Sequence, residues 1–192
     1  MSGIAEAFAR AYALHQEGRL EDADRLYREI LASAPDHPGA LHLLGTLQAQ
    51  IGRLSDAADI LSRAVAADPL NSAAFYNLGN VLRDLKEFEK ALSCYDQALA
   101  TGGDQASTLN NRACILFDLG RFDEALAGYD RVIAAQPGKA GAHLNRANTL
   151  LALARFDEAL ARRHDPGIAP GRCDNSLAPR RIAPEQARCL RG

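Results

Sequence analysis

Along this chain, large apolar, small and charged positions recur in a fixed order every 34 residues. The hexamer RFDEAL stands at Arg121–Leu126 and again at Arg155–Leu160. Stepping back by the same interval meets EFEKAL at Glu87, RLSDAA at Arg53 and RLEDAD at Arg19. The chain therefore divides into units 4–37, 38–71, 72–105 and 106–139, with a partial fifth at 140–163. In each unit the eighth position is small (Ala11, Gly45, Gly79, Ala113, Ala147) and the twentieth is alanine (Ala23, Ala57, Ala91, Ala125, Ala159). The seventeenth is large and apolar (Leu20, Leu54, Phe88, Phe122, Phe156), and the twenty-fourth is Tyr27, Leu61, Tyr95 and Tyr129 in the first four units. Pro35, Pro69 and Pro137 close three units, with Gly103 in that place in the third. This pattern predicts two antiparallel helices per unit. In the third they are Ala73–Leu85 and Glu89–Ala100, joined by a turn at Lys86–Glu87. Small residues let the two backbones approach, and the large side chain at position 24 fills the space beside them.

The fifth unit keeps this pattern as far as RFDEAL, which is expected to open a second helix as the first copy does. It then departs. Arg163 replaces the aromatic, and Pro166 falls inside the expected helix, where it removes a backbone donor and clashes with the preceding turn. The helix is expected to end near Arg163 or His164. Residues 162–192 carry seven arginines against three acidic residues, together with four of the eight prolines. That balance predicts an irregular or disordered Arg/Pro-rich tail over 164–192, with Pro184–Leu190 suited to a helical turn or two. Such a tail is either a basic binding segment or the product of a truncation or frame change, and the abrupt loss of period favours the second. With no solvating helix to follow, Leu150, Leu153, Phe156 and Leu160 are expected to leave an apolar C-terminal face open to self-association.

The period, the small eighth position, the alanine at twenty, the aromatic at twenty-four and the closing proline resemble the tetratricopeptide repeat, or TPR. AAFYNLGNVLRDLKEFEKALSCYDQAL in the third unit is closest to the family pattern, and the resemblance covers residues 4 to about 161. It implies an all-α, right-handed superhelical solenoid whose first helices line a concave groove. NNRA at Asn110–Ala113, YDRV, and LNRAN at Leu144–Asn148 also resemble the TPR arm of bacterial O-linked N-acetylglucosamine transferase-like proteins.

Position six of the first helices reads Ala9, Leu43, Asn77, Asn111 and Asn145. Three asparagines in register predict a ladder, because each amide both donates and accepts and can pair with any peptide backbone. Asn80 and Asn148, one turn on, would widen the polar strip. Position five reads Phe8, His42, Tyr76, Asn110 and Leu144, giving the groove an apolar entrance near Phe8, Leu43 and Tyr76. A clamp for a chaperone's C-terminal carboxylate is disfavoured, since position five holds no lysine and Arg112 and Arg146 stand one step away. The competing view of the asparagines is that they are solvated or inter-repeat hydrogen-bonding residues.

Composition narrows the function further. A net charge of −2 provides no basic field for nucleic acid. No window is apolar enough for a membrane span, and the N-terminus lacks the features of a signal peptide, so a cytoplasmic protein is expected. None of the four cysteines forms a CxxC pair, and Cys94 and Cys114 fall in apolar helical stretches as small buried thiols. His15, His37, His42, His143 and His164 are scattered, and Asp123–Glu124 and Asp157–Glu158 belong to helix first turns, where anions favour the dipole. No catalytic motif or cofactor fingerprint is present. The expected function is a non-enzymatic scaffold holding an extended peptide or partner protein, without cofactor. The alternatives are the substrate-recruiting arm of a glycosyltransferase-like protein lacking its catalytic domain, and an array that self-assembles through its C-terminal face.

Overall fold

The computed structural model describes residues 2–163, and side chains are described for residues 3–155. The expected tail over 164–192 and the turn at Pro184–Leu190 lie outside the described residues. Among the described residues every regular element is helical: α1 (Ser2–Gln16), α2 (Leu20–Ser33), α3 (Pro38–Gln50), α4 (Leu54–Ala67), α5 (Ser72–Asp84), α6 (Phe88–Ala100), α7 (Gln105–Asp118), α8 (Phe122–Ala135) and α9 (Ala140–Arg163). The chain divides into two units, one ending at Thr108 and one beginning at Leu109.

In the first unit, α1–α2, α3–α4 and α5–α6 are the expected hairpins. Each turn depends on its fifteenth position, which takes a left-handed backbone: Gly18 (φ 77°), Gly52 (φ 82°) and Lys86 (φ 66°). Glycine adopts that conformation freely, whereas a side chain costs roughly 1–2 kcal/mol. The next residue's N–H then reaches back to close the first helix, as Arg19 to the Leu14 carbonyl, Arg53 to Gln48 and Glu87 to Leu82, at 2.8–2.9 Å. First helices also start with caps. His37 Nδ1 accepts from the Ala40 amide and Asn71 Oδ1 from the Ala74 amide.

Packing inside each hairpin follows the size pattern. Ala23, Ala57 and Ala91 are fully buried, as are Tyr27, Leu61 and Tyr95 at position 24. A Cβ on Gly45 would stand 2.6 Å from Leu61 Cγ, and one on Gly79 would stand 2.6 Å from Tyr95 Cε1. The eighth position is small because the large side chain of the second helix occupies its Cβ site.

In the second unit, α8 returns along α7 through the left-handed Gly120 (φ 74°). Ala125 and Val132 are fully buried and Tyr129 nearly so, and here both facing positions are small, with a Gly128 Cβ 2.9 Å from Ala113 Cβ. Helix α9 packs on α8 through buried Ala142 and Thr149, with Arg146 Nε donating to Asp130 Oδ1 at 2.6 Å. It does not turn. The second RFDEAL, expected to open a separate helix, lies inside one helix that runs to Arg163. At the position of Gly18, Gly52, Lys86 and Gly120 this unit has Ala154, the strongest helix former, so the helix continues.

Candidate peptide-binding face

The clearest polar arrangement joins two consecutive first helices, α3 and α5. Asn77 Nδ2 on α5 lies 3.0 Å from both His42 Nε2 and Thr46 Oγ1 on α3. Thr46 spends its own proton on the His42 carbonyl at 2.9 Å, so its oxygen must accept from Asn77. Both amide protons of Asn77 are thereby used, and Oδ1 is left with no partner among the described residues. His42 Nε2 accepts, which assigns the ring proton to Nδ1, also without a partner there. Burial lowers the pKa of His42 and holds the ring neutral near pH 7. Asn77 and His42 together present one open acceptor and one open donor.

Thr46 was not singled out by sequence, though a signal exists. In the third and fourth repeats position nine answers to the tyrosine at position 24: Tyr95 Oη donates to Asn80 Oδ1 at 2.7 Å, and Tyr129 Oη to Cys114 Sγ at 3.5 Å. In the second repeat Leu61 replaces that tyrosine, so Thr46 is released to bond the next repeat. Asn80 is thus tied to its own repeat's core tyrosine rather than simply widening a polar strip. Tyr76 is half-buried, its ring 6.1 Å from that of Tyr95.

In the second unit Asn110 and Asn145 converge on one sulfur. Their Nδ2 atoms lie 3.9 Å and 3.7 Å from Cys114 Sγ. Asn110 is buried, and its Oδ1 has no partner. Asn111 is half-buried on α7, and Asn148, half-buried on α9, makes no hydrogen bond among the described residues. Cys114 departs from the expected free thiol, being disulfide-bonded. Cys94 is free, and burial pushes its thiol up to about 11, leaving it protonated and unreactive. No three His, Cys, Asp or Glu side chains group to hold a metal among the described residues, and no described helix is long and apolar enough to cross a membrane.

Three family models, each of the tetratricopeptide repeat, match residues 14–74, 72–101 and 110–170. The chain belongs to the tetratricopeptide repeat family. Its all-α TPR architecture is shared with solved structures. MamA, at 21% identity and a TM-score of 0.75, is matched over 88% of this chain and 100% of its own. YrrB, described as a TPR protein with an unusual peptide-binding site, shows 25% identity and a TM-score of 0.72 over 81% of this chain and 80% of its own. The O-GlcNAc transferase of Thermobaculum terrenum shows 30% identity and a TM-score of 0.58 over 68% of this chain. Only 26% of that enzyme's chain is covered. No curated protein sequence matches the chain significantly.

Proposed function

We propose that this TPR protein is a non-enzymatic scaffold that holds an extended peptide, free or within a partner protein, against its first helices. The observation that carries this reading is the Asn77–His42–Thr46 arrangement. It fixes two side chains by inter-repeat bonds and leaves Asn77 Oδ1 to accept and His42 Nδ1 to donate. An extended peptide presents the complementary N–H and C=O groups whatever its sequence. YrrB's peptide-binding site, on a chain of the same fold, supports the same use. Asn111 and Asn145 repeat the asparagine in the next two repeats, and the net charge of −2 speaks against nucleic acid as the ligand.

The test is fluorescence-polarisation titration of labelled extended peptides against the wild type and a triple variant, N77A/N111A/N145A. Loss of two or more hydrogen bonds should weaken binding by roughly ten-fold or more. Unchanged affinity in a folded triple variant counts against the asparagine ladder. A second reading, a substrate-recruiting arm of a glycosyltransferase-like protein, rests on the identity with the Thermobaculum enzyme. It predicts that this chain alone neither hydrolyses nor transfers from a sugar nucleotide, and that glycosyltransferase substrates compete with the labelled peptides.

A further inference from the structure

The three polar side chains shared by α3 and α5 are linked so that one added proton rearranges them all. With His42 neutral, its Nε2 accepts from Asn77 Nδ2 at 3.0 Å, and the same amide nitrogen donates to Thr46 Oγ1 at 3.0 Å. Thr46 sends its own proton to the His42 carbonyl at 2.9 Å. A proton added to the ring sits on Nε2, which then faces another donor, the Asn77 amide nitrogen. Turning the amide over relieves this conflict, because Oδ1 takes the place of Nδ2. Oδ1 has two lone pairs, and the ring Nε2–H fills one. The Thr46 hydroxyl fills the other by swinging away from the His42 carbonyl. That release costs little, since a carbonyl inside α3 already receives the backbone N–H four residues on. Both contacts of Asn77 survive with their direction reversed.

We propose that His42, Asn77 and Thr46 form a proton-operated switch that changes the class of ligand this face accepts. The neutral state shows Asn77 Oδ1 as an acceptor beside His42 Nδ1–H, which suits the N–H and C=O groups of a peptide backbone. The protonated state shows the Asn77 NH2 group beside Nδ1–H of a cationic ring. Two donors and a positive charge suit a peptide carboxylate instead. The switch rests on the reading of this face as peptide-holding and adds the condition that selects the ligand. Burial lowers the pKa of His42, so the change falls below the ordinary histidine value of about 6.5. Peptide carboxylates stay ionised down to about pH 4, which leaves a mildly acid window. Neighbouring charges do not set it. By register α1 brings Tyr12 and His15 to the first-helix side, and α5 brings Tyr76, Arg83 and Asp84. On the other faces of α3, α2 offers Tyr27 and Asp24, which bonds Gln48, and α4 has only the exposed Asp56, Asp59 and Arg63. His37 is the other histidine of this segment and caps α3. The His42 pKa is moved by burial rather than by any of these groups.

The first arm of the test needs no ligand. Nitrogen-15 NMR of the full-length protein follows the His42 ring and the Asn77 amide from about pH 7.5 to about pH 5. The hydrogen-bond coupling between Asn77 Nδ2 and His42 Nε2 should disappear on acidification, and a slowly exchanging Nε2–H should appear with the same midpoint. The second arm is fluorescence polarisation with three labelled peptides: one blocked at both ends, one with a free C-terminal carboxylate, and one blocked but carrying an internal glutamate. Over the same range the blocked peptide should weaken by roughly ten-fold, and a carboxylate peptide should gain at least as much relative to it. Which of the two gains identifies the carboxylate. In His42→Gln the preference should no longer move with pH. A His42 ring proton that exchanges freely in acid, or a preference that stays constant in a wild type that binds, would overturn the switch. Failure of all three peptides to bind at either pH would overturn the peptide-holding reading and the change of ligand with it, and the ring proton would still decide the rearrangement.

Discussion

The third repeat and α9 begin alike and end differently. Both open with an amphipathic first helix carrying a small eighth residue, Gly79 or Ala147, and both continue into a segment with an aromatic and an alanine at fixed offsets. In the third repeat Lys86 takes a left-handed backbone and α6 returns to bury Tyr95 against Gly79. In the fifth, Ala154 stays helical, no described segment returns along the helix, and Ala147 is exposed. The contrast separates two requirements that the repeat pattern merges. An apolar face makes a helix able to pair, but the residue at the turn decides whether it pairs with its own continuation. Lys86 holds its turn without glycine's freedom because Tyr95 at position 24 rewards closure, and its ammonium lies 5.7 Å from the Phe88 ring centroid. The fifth repeat has Arg163 in the tyrosine's place.

The largest effect is expected inside the closed hairpin. Gly79→Leu drives a side chain into the Tyr95 ring and should destabilise the protein by about 1–3 kcal/mol in urea unfolding. A loss below this range would mean that hairpin closure is less tight than the Gly79–Tyr95 contact implies. Next, Asn77→Ala removes two hydrogen bonds to α3 and should lower stability by about 1–2 kcal/mol by the same measurement. Asn148→Ala, whose amide makes no hydrogen bond among the described residues, should change little.

A third effect comes from pH. Burial lowers the pKa of His42, so the folded protein binds fewer protons there than the unfolded chain. The stability from its neutral form is complete above the ordinary histidine range and is lost as pH falls below about 6.5 toward the folded pKa. Protonated His42 also cannot accept from Asn77. Unfolding midpoints should therefore fall with acidification in that window, and the slope should shrink in His42→Gln. The smallest change is Lys86→Gly, which relieves the left-handed backbone but loses the contact with Phe88. Its net gain should be below about 1 kcal/mol in thermal melts.

Much of the fold was legible from spacing alone, because position 8 against position 24 is a steric requirement in the second and third hairpins, where Gly45 meets Leu61 and Gly79 meets Tyr95. The only trace of the run-on of α9 is at position 15, where Gly18, Gly52, Gly120 and the strained Lys86 take a left-handed backbone and Ala154 stays helical. Reading RFDEAL by its own letters concealed this, since identical hexamers follow different turn residues. The candidate site was harder to read. Asn77 was legible as a candidate, but which of its atoms remain open depends on Thr46, whose oxygen accepts from Asn77 in a repeat where Leu61 offers no phenol. Asn80 shares Asn77's chemistry and differs in being held by Tyr95, a pairing set by helix rotation rather than residue type. Cys114 could not be judged from cysteine spacing, because a disulfide needs proximity in the fold.

The central claim, that the turn residue decides between a closed hairpin and a continuous helix, is tested most directly by NMR of the backbone across residues 150–160 and 82–92. The account predicts helical carbon shifts and unbroken one-turn contacts through Ala154, against a left-handed shift and a break in those contacts at Lys86. A break at Ala154 resembling that at Lys86 would contradict it.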